Sequence, residues 1–181
     1  MKLNKQDTNK LINWIEKHHD KCINPNHTGY CRGWPNINKM DLFLVQTDFP
    51  FDAVAKLEKD IYEHFNFSNN VIREPNFGWF LSYSTEGHKV VYHTDPLIDV
   101  SDDYSEIVRI NFMLKKPKKG GEPIISKKLI KVDEGGYWIC HASGRFHTSE
   151  EIVGDIPRIV LSMGYAFTLS DFLKFKKQNE I

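Results

Sequence analysis

No run in this 181-residue sequence is long and apolar enough to span a membrane; a spanning helix needs about 20 consecutive apolar residues, and charges interrupt every stretch sooner. The opening residues, Met1-Lys2-Leu3-Asn4-Lys5, lack the apolar segment of a secretion signal, so a cytoplasmic protein is expected. Charge of one sign is also missing. Lys plus Arg equal Asp plus Glu at 24 each, which removes any global electrostatic reason to expect nucleic acid or an anionic membrane as partner. Cysteine is scarce: Cys22, Cys31 and Cys140 are odd in number and dispersed, which excludes a disulfide scaffold and suits a reducing compartment. Internal repeats and low-complexity tracts are absent, so solenoids and fibrous folds are excluded.

What is present belongs to a folded enzyme-sized domain. The apolar fraction is 40% and aromatics reach 13%, enough to bury a core, and the length fits one domain over residues 1–181. Between Asp7 and His19 the residues Leu11, Ile12, Trp14 and Ile15 recur at helical spacing, with Asp7 or Thr8 as candidate N-cap. Lys21 to Lys39 has Asn, Pro and Gly but no period and reads as a long loop, followed by a strand over Asp41 to Thr47. Phe51, Val54, Leu57, Ile61 and Phe65 predict a second amphipathic helix starting after Pro50. Beyond Asn70 the pattern turns to short β-branched and aromatic runs: Phe77–Ser84, Lys89–Tyr92, Val108–Leu114, Tyr137–Cys140 and Arg158–Tyr165. Ser170 to Lys177 predicts a short C-terminal helix. Helices followed by many short strands, without βαβ alternation, indicate an α+β fold: a helical N-terminal region (1–70) packed on an antiparallel sandwich or barrel (71–168).

The chemistry concentrates at Tyr92-His93-Thr94-Asp95-Pro96. On a strand, side chains at i and i+2 share a face, so His93 and Asp95 would project together. Two His and one carboxylate on one face of an octahedron leave three positions open, the arrangement of non-haem Fe(II) oxygenases, and the third ligand must come from elsewhere. His147, upstream of the strand Arg158-Ile159-Val160-Leu161-Ser162-Met163-Gly164-Tyr165, is one candidate; His141 is its rival.

In chain order the sequence offers Ser82-Tyr83-Ser84, His93-Thr94-Asp95, Gly120-Gly121-Glu122-Pro123, Tyr137-Trp138-Ile139-Cys140, His147 and Arg158. That ordered set resembles the Fe(II)/2-oxoglutarate dioxygenases, particularly the prolyl 4-hydroxylase-like branch, across roughly Phe77 to Tyr165. The resemblance implies a double-stranded β-helix, or jelly-roll, with the metal at one open end. It implies His93, Asp95 and His147 as Fe(II) ligands and catalytic centre, with 2-oxoglutarate as co-substrate, O₂ as oxidant and ascorbate as a possible reductant. Arg158, a permanently charged planar fork, suits bidentate pairing with the distal carboxylate of 2-oxoglutarate. Tyr83 and Ser162 are candidates for a further hydrogen bond to it. Along Val108–Leu114 the apolar residues alternate with Arg109, Asn111 and Met113; Arg109 and Asn111 face either the cavity, touching 2-oxoglutarate or substrate, or solvent. The activity implied is hydroxylation of an aliphatic C–H of an amino acid, peptide or protein side chain, with release of succinate and CO₂. The carboxylate of Asp95 favours hydroxylation over halogenation, because a missing carboxylate would open a halide position.

Other features have readings of their own. His18, His19, Cys22, His27 and Cys31 form a loose Cys/His cluster that could hold zinc, in which case the chain is a non-catalytic jelly-roll metal-binding or interaction module. Asp99, Asp102, Asp103 and Glu106 form either an acidic lip or a solvated loop, the latter preferred. The lysines of Lys115–Lys119 read as a solvated turn ahead of a nucleic-acid patch. Cys140 reads as a small buried hydrophobe.

Overall fold

Helix α1 (Lys5–His18) buries Leu11, Trp14 and Ile15, which recur at three- and four-residue spacing and so line one face. Its cap is Asn4, one turn earlier than Asp7 or Thr8. Extended at φ −70°, ψ 156°, Asn4 accepts the Asp7 backbone N–H at 2.8 Å through Oδ1. Helix α2 (Phe51–Phe65) buries Ala53, Val54, Leu57, Ile61 and Phe65, and ends where Asn66 takes the left-handed conformation at φ 50°. Fully burying each Leu or Ile of these faces contributes about 1.5–3 kcal/mol. The computed structural model describes residues 1, 3–19, 49–75, 78–97 and 103–179, and the backbone of 37–41.

Both helices and the C-terminal α3 (Leu169–Asn179) pack on one antiparallel sheet. It contains β1 (Ile37–Asp41), β3 (Trp79–Ser84), β9 (Arg158–Phe167), β4 (Glu106–Lys115) and β7 (Tyr137–His141), hydrogen-bonded in that order, with β2 (Ile72–Arg73) also paired to β9. A smaller antiparallel sheet, β6 (Lys128–Leu129), β5 (Pro123–Ile125) and β8 (His147–Ser149), is extended by an isolated bridge from His147 to His93.

The period-two rule sorts the large sheet into two faces. Val108, Ile110, Phe112 and Leu114 of β4, with Ile159, Leu161, Met163 and Tyr165 of β9, join the helices in one apolar cluster. The alternate residues look the other way: Met113 packs with Val132, Trp138 and Val160, and Ile107 with Cys140 and Ala142, Ile125 of β5 touching both groups. Arg109 and Asn111 lie on that inner face between the sheets, buried at 5% and 8% exposure, which excludes the solvated reading.

Several expectations shift. Residues 42–47 of the expected first strand lie outside the described residues; the strand observed, β1, starts in the segment read as loop and ends at Asp41, where the expected strand begins. The expected strand over Lys89–Tyr92 does not form. There the Val90 N–H donates to Ser149 Oγ at 3.1 Å and its carbonyl accepts from Thr148 Oγ1, so side-chain hydroxyls replace a ladder. The lysine turn is tied into the fold instead of forming a patch, with Lys115 2.6 Å from Glu16 and Lys116 2.7 Å from Glu122. Glu106 is no lip: it opens β4 and holds His141. Asp99, Asp102 and the cluster members Cys22, His27 and Cys31 lie outside the described residues. Among those residues no helix is long and apolar enough to cross a membrane.

Candidate metal centre

His93 and His147 face each other across the small sheet and exchange both backbone hydrogen bonds, His93 N to His147 O at 3.1 Å and His147 N to His93 O at 2.8 Å. An antiparallel pair of this kind projects both side chains from one face, and the imidazole centroids lie 4.2 Å apart. Asp95 is outside any strand, and its backbone N–H is held instead by the Ala142 carbonyl at 2.8 Å. Its Oδ1 lies 3.3 Å from His93 Nε2 and 3.6 Å from His147 Nε2. One ligand atom from each of the three residues lies within 4.8 Å of the other two.

The far nitrogens of both rings are committed. His93 Nδ1 is 2.6 Å from the Val91 carbonyl and His147 Nδ1 is 3.0 Å from the Arg145 carbonyl, each two residues back in its own chain segment. A carbonyl only accepts, so Nδ1 carries the proton in both rings and the Nε2 lone pairs converge on Asp95. Burial holds His147 below its ordinary pKa against the pull of Asp95, which keeps it neutral and able to donate that lone pair. For Asp95, burial alone would raise the pKa, but the Arg109 charge and the hydrogen bond from its guanidinium hold the carboxyl well below the usual carboxylate range. Two imidazoles and one carboxylate are a donor set that fits a divalent first-row metal.

A second polar end lies along β9. Arg158 sits on the same inner face as Val160, Ser162 and Gly164, opposite Ser84 of β3. Its guanidinium is buried at 5% exposure, its Cζ stands 5.6 Å from the Trp138 ring, and no ion pair within 4 Å is formed among the described residues. Burial lowers its pKa to about 10, with Glu122 pulling it back up, so it remains a cation at neutral pH. Among the described residues Arg158 Nε and Ser162 Oγ are buried without a hydrogen-bond partner, an uncompensated arrangement that an anionic ligand would relieve. Gly120 and Gly121, at φ +75° and +76°, form the turn beside this Arg. A Cβ on Gly121 would come within 3.1 Å of Arg158 Cδ and 2.8 Å of Pro117 Cγ. Asn111 pairs in register with Ser162 and Trp138, between Arg158 and the three-residue cluster.

Tyr83 requires a correction. It alternates onto the opposite face of β3, packs with the helix-side cluster and stacks on His19 at 4.3 Å, so the sheet separates it from Arg158. The rival ligand His141 is also turned to the helix side, where Nε2 meets Glu106 Oε2 at 2.5 Å and the ring lies 4.3 Å from Phe172. Cys140 is inward and buried, its thiol pushed up to about 12 chiefly by that burial.

The sequence reading missed a role for Arg109 and missed Glu74 entirely. The Arg109 guanidinium donates to Asp95 Oδ2 at 2.5 Å, Glu74 Oε2 at 3.1 Å and the Gly78 carbonyl at 3.2 Å. Alternation along β4 sets Arg109 on the face opposite the apolar one and leaves open whether that face meets the cavity or solvent. Glu74 stands in an irregular segment with no periodic signal.

No model of a known protein family matches the sequence, and no curated protein does. Solved structures do. The chain is similar to a viral collagen prolyl hydroxylase from Paramecium bursaria Chlorella virus-1 in complex with 2-oxoglutarate, at 16% identity over 91% of this chain and 92% of that one, TM-score 0.59. It is similar to a Pseudomonas putida prolyl-4-hydroxylase at 13% identity over 92% and 88% of the two chains, TM-score 0.55. It is also similar to HygX from Streptomyces hygroscopicus, solved with nickel, 2-oxoglutarate and hygromycin B, at 13% identity over 92% and 80%, TM-score 0.57. At these identities the likeness establishes the fold, the jelly-roll with N-terminal helices and a short C-terminal helix.

Proposed function

We propose that this chain is an Fe(II)- and 2-oxoglutarate-dependent oxygenase that hydroxylates an aliphatic C–H of an amino acid, peptide or other small molecule. The observation that carries the reading is the convergence of His93 Nε2, His147 Nε2 and Asp95 Oδ1, with both Nδ1 atoms fixed on backbone carbonyls. The buried Arg158 Nε and Ser162 hydroxyl, without a hydrogen-bond partner among the described residues, support it, as does a fold shared with structures solved with 2-oxoglutarate. His93, Asp95 and His147 would hold the metal on one face, and Arg158 would take the distal carboxylate of 2-oxoglutarate, with Asn111 and Ser162 beside its chain. Iron and 2-oxoglutarate, when bound, supply the oxidising chemistry, in which O₂ is consumed, succinate and CO₂ leave, and one oxygen atom enters the substrate as hydroxyl.

The protein's own work is positional. Asp95 would supply the one anionic ligand of the three, the group whose presence favours hydroxylation or demethylation over halogenation. Arg158 orients the co-substrate at one end, so its other end meets the metal in one geometry. Met113, Trp138, Val160 and Ile125 pack together on the inner face that also carries Arg158, an apolar wall that would limit water there. Incubation with Fe(II), ascorbate, O₂ and 2-oxoglutarate should yield succinate, and His93→Ala or His147→Ala should remove it; succinate formation indifferent to both substitutions would contradict the reading.

A further inference from the structure

Glu74, Arg109 and Asp95 are at 0%, 5% and 4% exposure, a row of carboxylate, guanidinium and carboxylate inside the fold. All three nitrogens of the guanidinium donate, to Glu74 Oε2, the Gly78 carbonyl and Asp95 Oδ2. Arg109 can lie this way because its register partner on β9 is Gly164. A Cβ there would stand 2.8 Å from Arg109 Nη1, 2.9 Å from the Gly78 carbonyl oxygen and 3.2 Å from Glu74 Cβ, at a residue whose backbone does not itself demand glycine. The missing side chain is a slot for the guanidinium. Gly164 also ties the slot's walls, its N–H donating to the Gly78 carbonyl at 3.0 Å and its carbonyl accepting from the Glu74 N–H at 3.0 Å.

The consequence falls on Asp95. With Oδ2 held by Arg109 Nε, the carboxylate presents Oδ1 to the two imidazoles and binds a cation through one oxygen. Charge matters as much as aim. Arg109 alone would cancel the charge of Asp95 and oppose an incoming dication; with Glu74 beside it the buried trio keeps a net charge of −1. We infer that Glu74 and Arg109 are positioning residues, a clasp seated over Gly164 that fixes Asp95 as a one-oxygen ligand and sets the site's affinity for a divalent cation. This rests on the metal-binding reading of His93, Asp95 and His147 given above.

The test is Co(II) titration of the full chain, anaerobic and without 2-oxoglutarate, followed by the visible spectrum. Glu74→Gln keeps size and a hydrogen-bond acceptor while removing the charge, so a purely structural role would leave the affinity in place. The inference predicts affinity about 10- to 100-fold weaker, the range for outer partners of metal ligands. Arg109→Lys, which keeps the charge but loses the fork, should weaken binding and also alter the cobalt bands through a changed carboxylate mode. If Glu74→Gln does not yield folded protein, Gly164→Ala decides in its place, since it retains all three charged groups while crowding the guanidinium and the Gly78 carbonyl that accepts from it; weaker binding supports the clasp. Wild-type affinity and spectrum in the folded variant overturn the clasp while leaving the metal site standing. Failure of the wild-type chain to bind Co(II) overturns both.

Discussion

His93 and His147 form an antiparallel hydrogen-bonded pair whose two imidazoles each anchor Nδ1 on the carbonyl two residues earlier. One pairing thus fixes position, direction and tautomer together, before any ligand arrives. A divalent cation should therefore bind with little rearrangement. Saturating Mn(II), at about 100 times its dissociation constant, should raise folding stability by about 2.7 kcal/mol. Thermal unfolding with and without Mn(II) should show that shift in the wild type and none in His147→Ala.

Arg158 is a buried cation without an ion-pair partner among the described residues, so replacing it by an apolar residue of similar length removes little from the metal-free fold. Arg158→Met should keep the wild-type melting temperature within a few degrees. Binding of 2-oxoglutarate, measured calorimetrically with Mn(II) present, should weaken at least about 30-fold, the loss of about 2 kcal/mol expected for a charge-assisted fork. Mn(II) affinity itself should not change.

Tyr83 and Arg158 are on neighbouring strands but on opposite faces of the sheet. Tyr83→Phe should leave 2-oxoglutarate affinity unchanged within twofold in the same titration. A tenfold loss would mean that the phenol reaches the inner face.

These two residues also mark how much could be read from sequence. His93-Thr94-Asp95, the alternation of β4 and the Arg in β9 were legible because each is a local pattern with a fixed geometric meaning. Period two puts Arg109 and Asn111 together on one face, and only their burial between the sheets decides that the face is inward. Tyr83 failed because its parity depends on the register with β9, which no local pattern sets. Glu74 was invisible because its partner is far along the chain and its own segment is irregular. His147 is preferred over His141 for its place in the ordered set before Arg158; its bridge to His93, a contact between residues distant in sequence, is what no local pattern shows.

Burial keeps Cys140 as a thiol, raised from 9.0 to about 12, so at pH 9 about one molecule in a thousand carries the thiolate. Iodoacetamide at pH 8 followed by peptide mass spectrometry should leave Cys140 unmodified in the native chain and label it in denaturant. The linkage has a definite sign. The folded state holds this proton more tightly than the unfolded one, so the contribution to stability is complete below pH 9 and is lost as the pH rises towards 12.

The central claim joins the three proposed ligands to 2-oxoglutarate in one complex, and an anaerobic titration reads that complex before any turnover. Adding Fe(II) and then 2-oxoglutarate should produce a visible charge-transfer band saturating at one equivalent of each, absent in His147→Ala and demanding far more 2-oxoglutarate in Arg158→Met. No band in the wild type, or the same band in His147→Ala, would contradict the account.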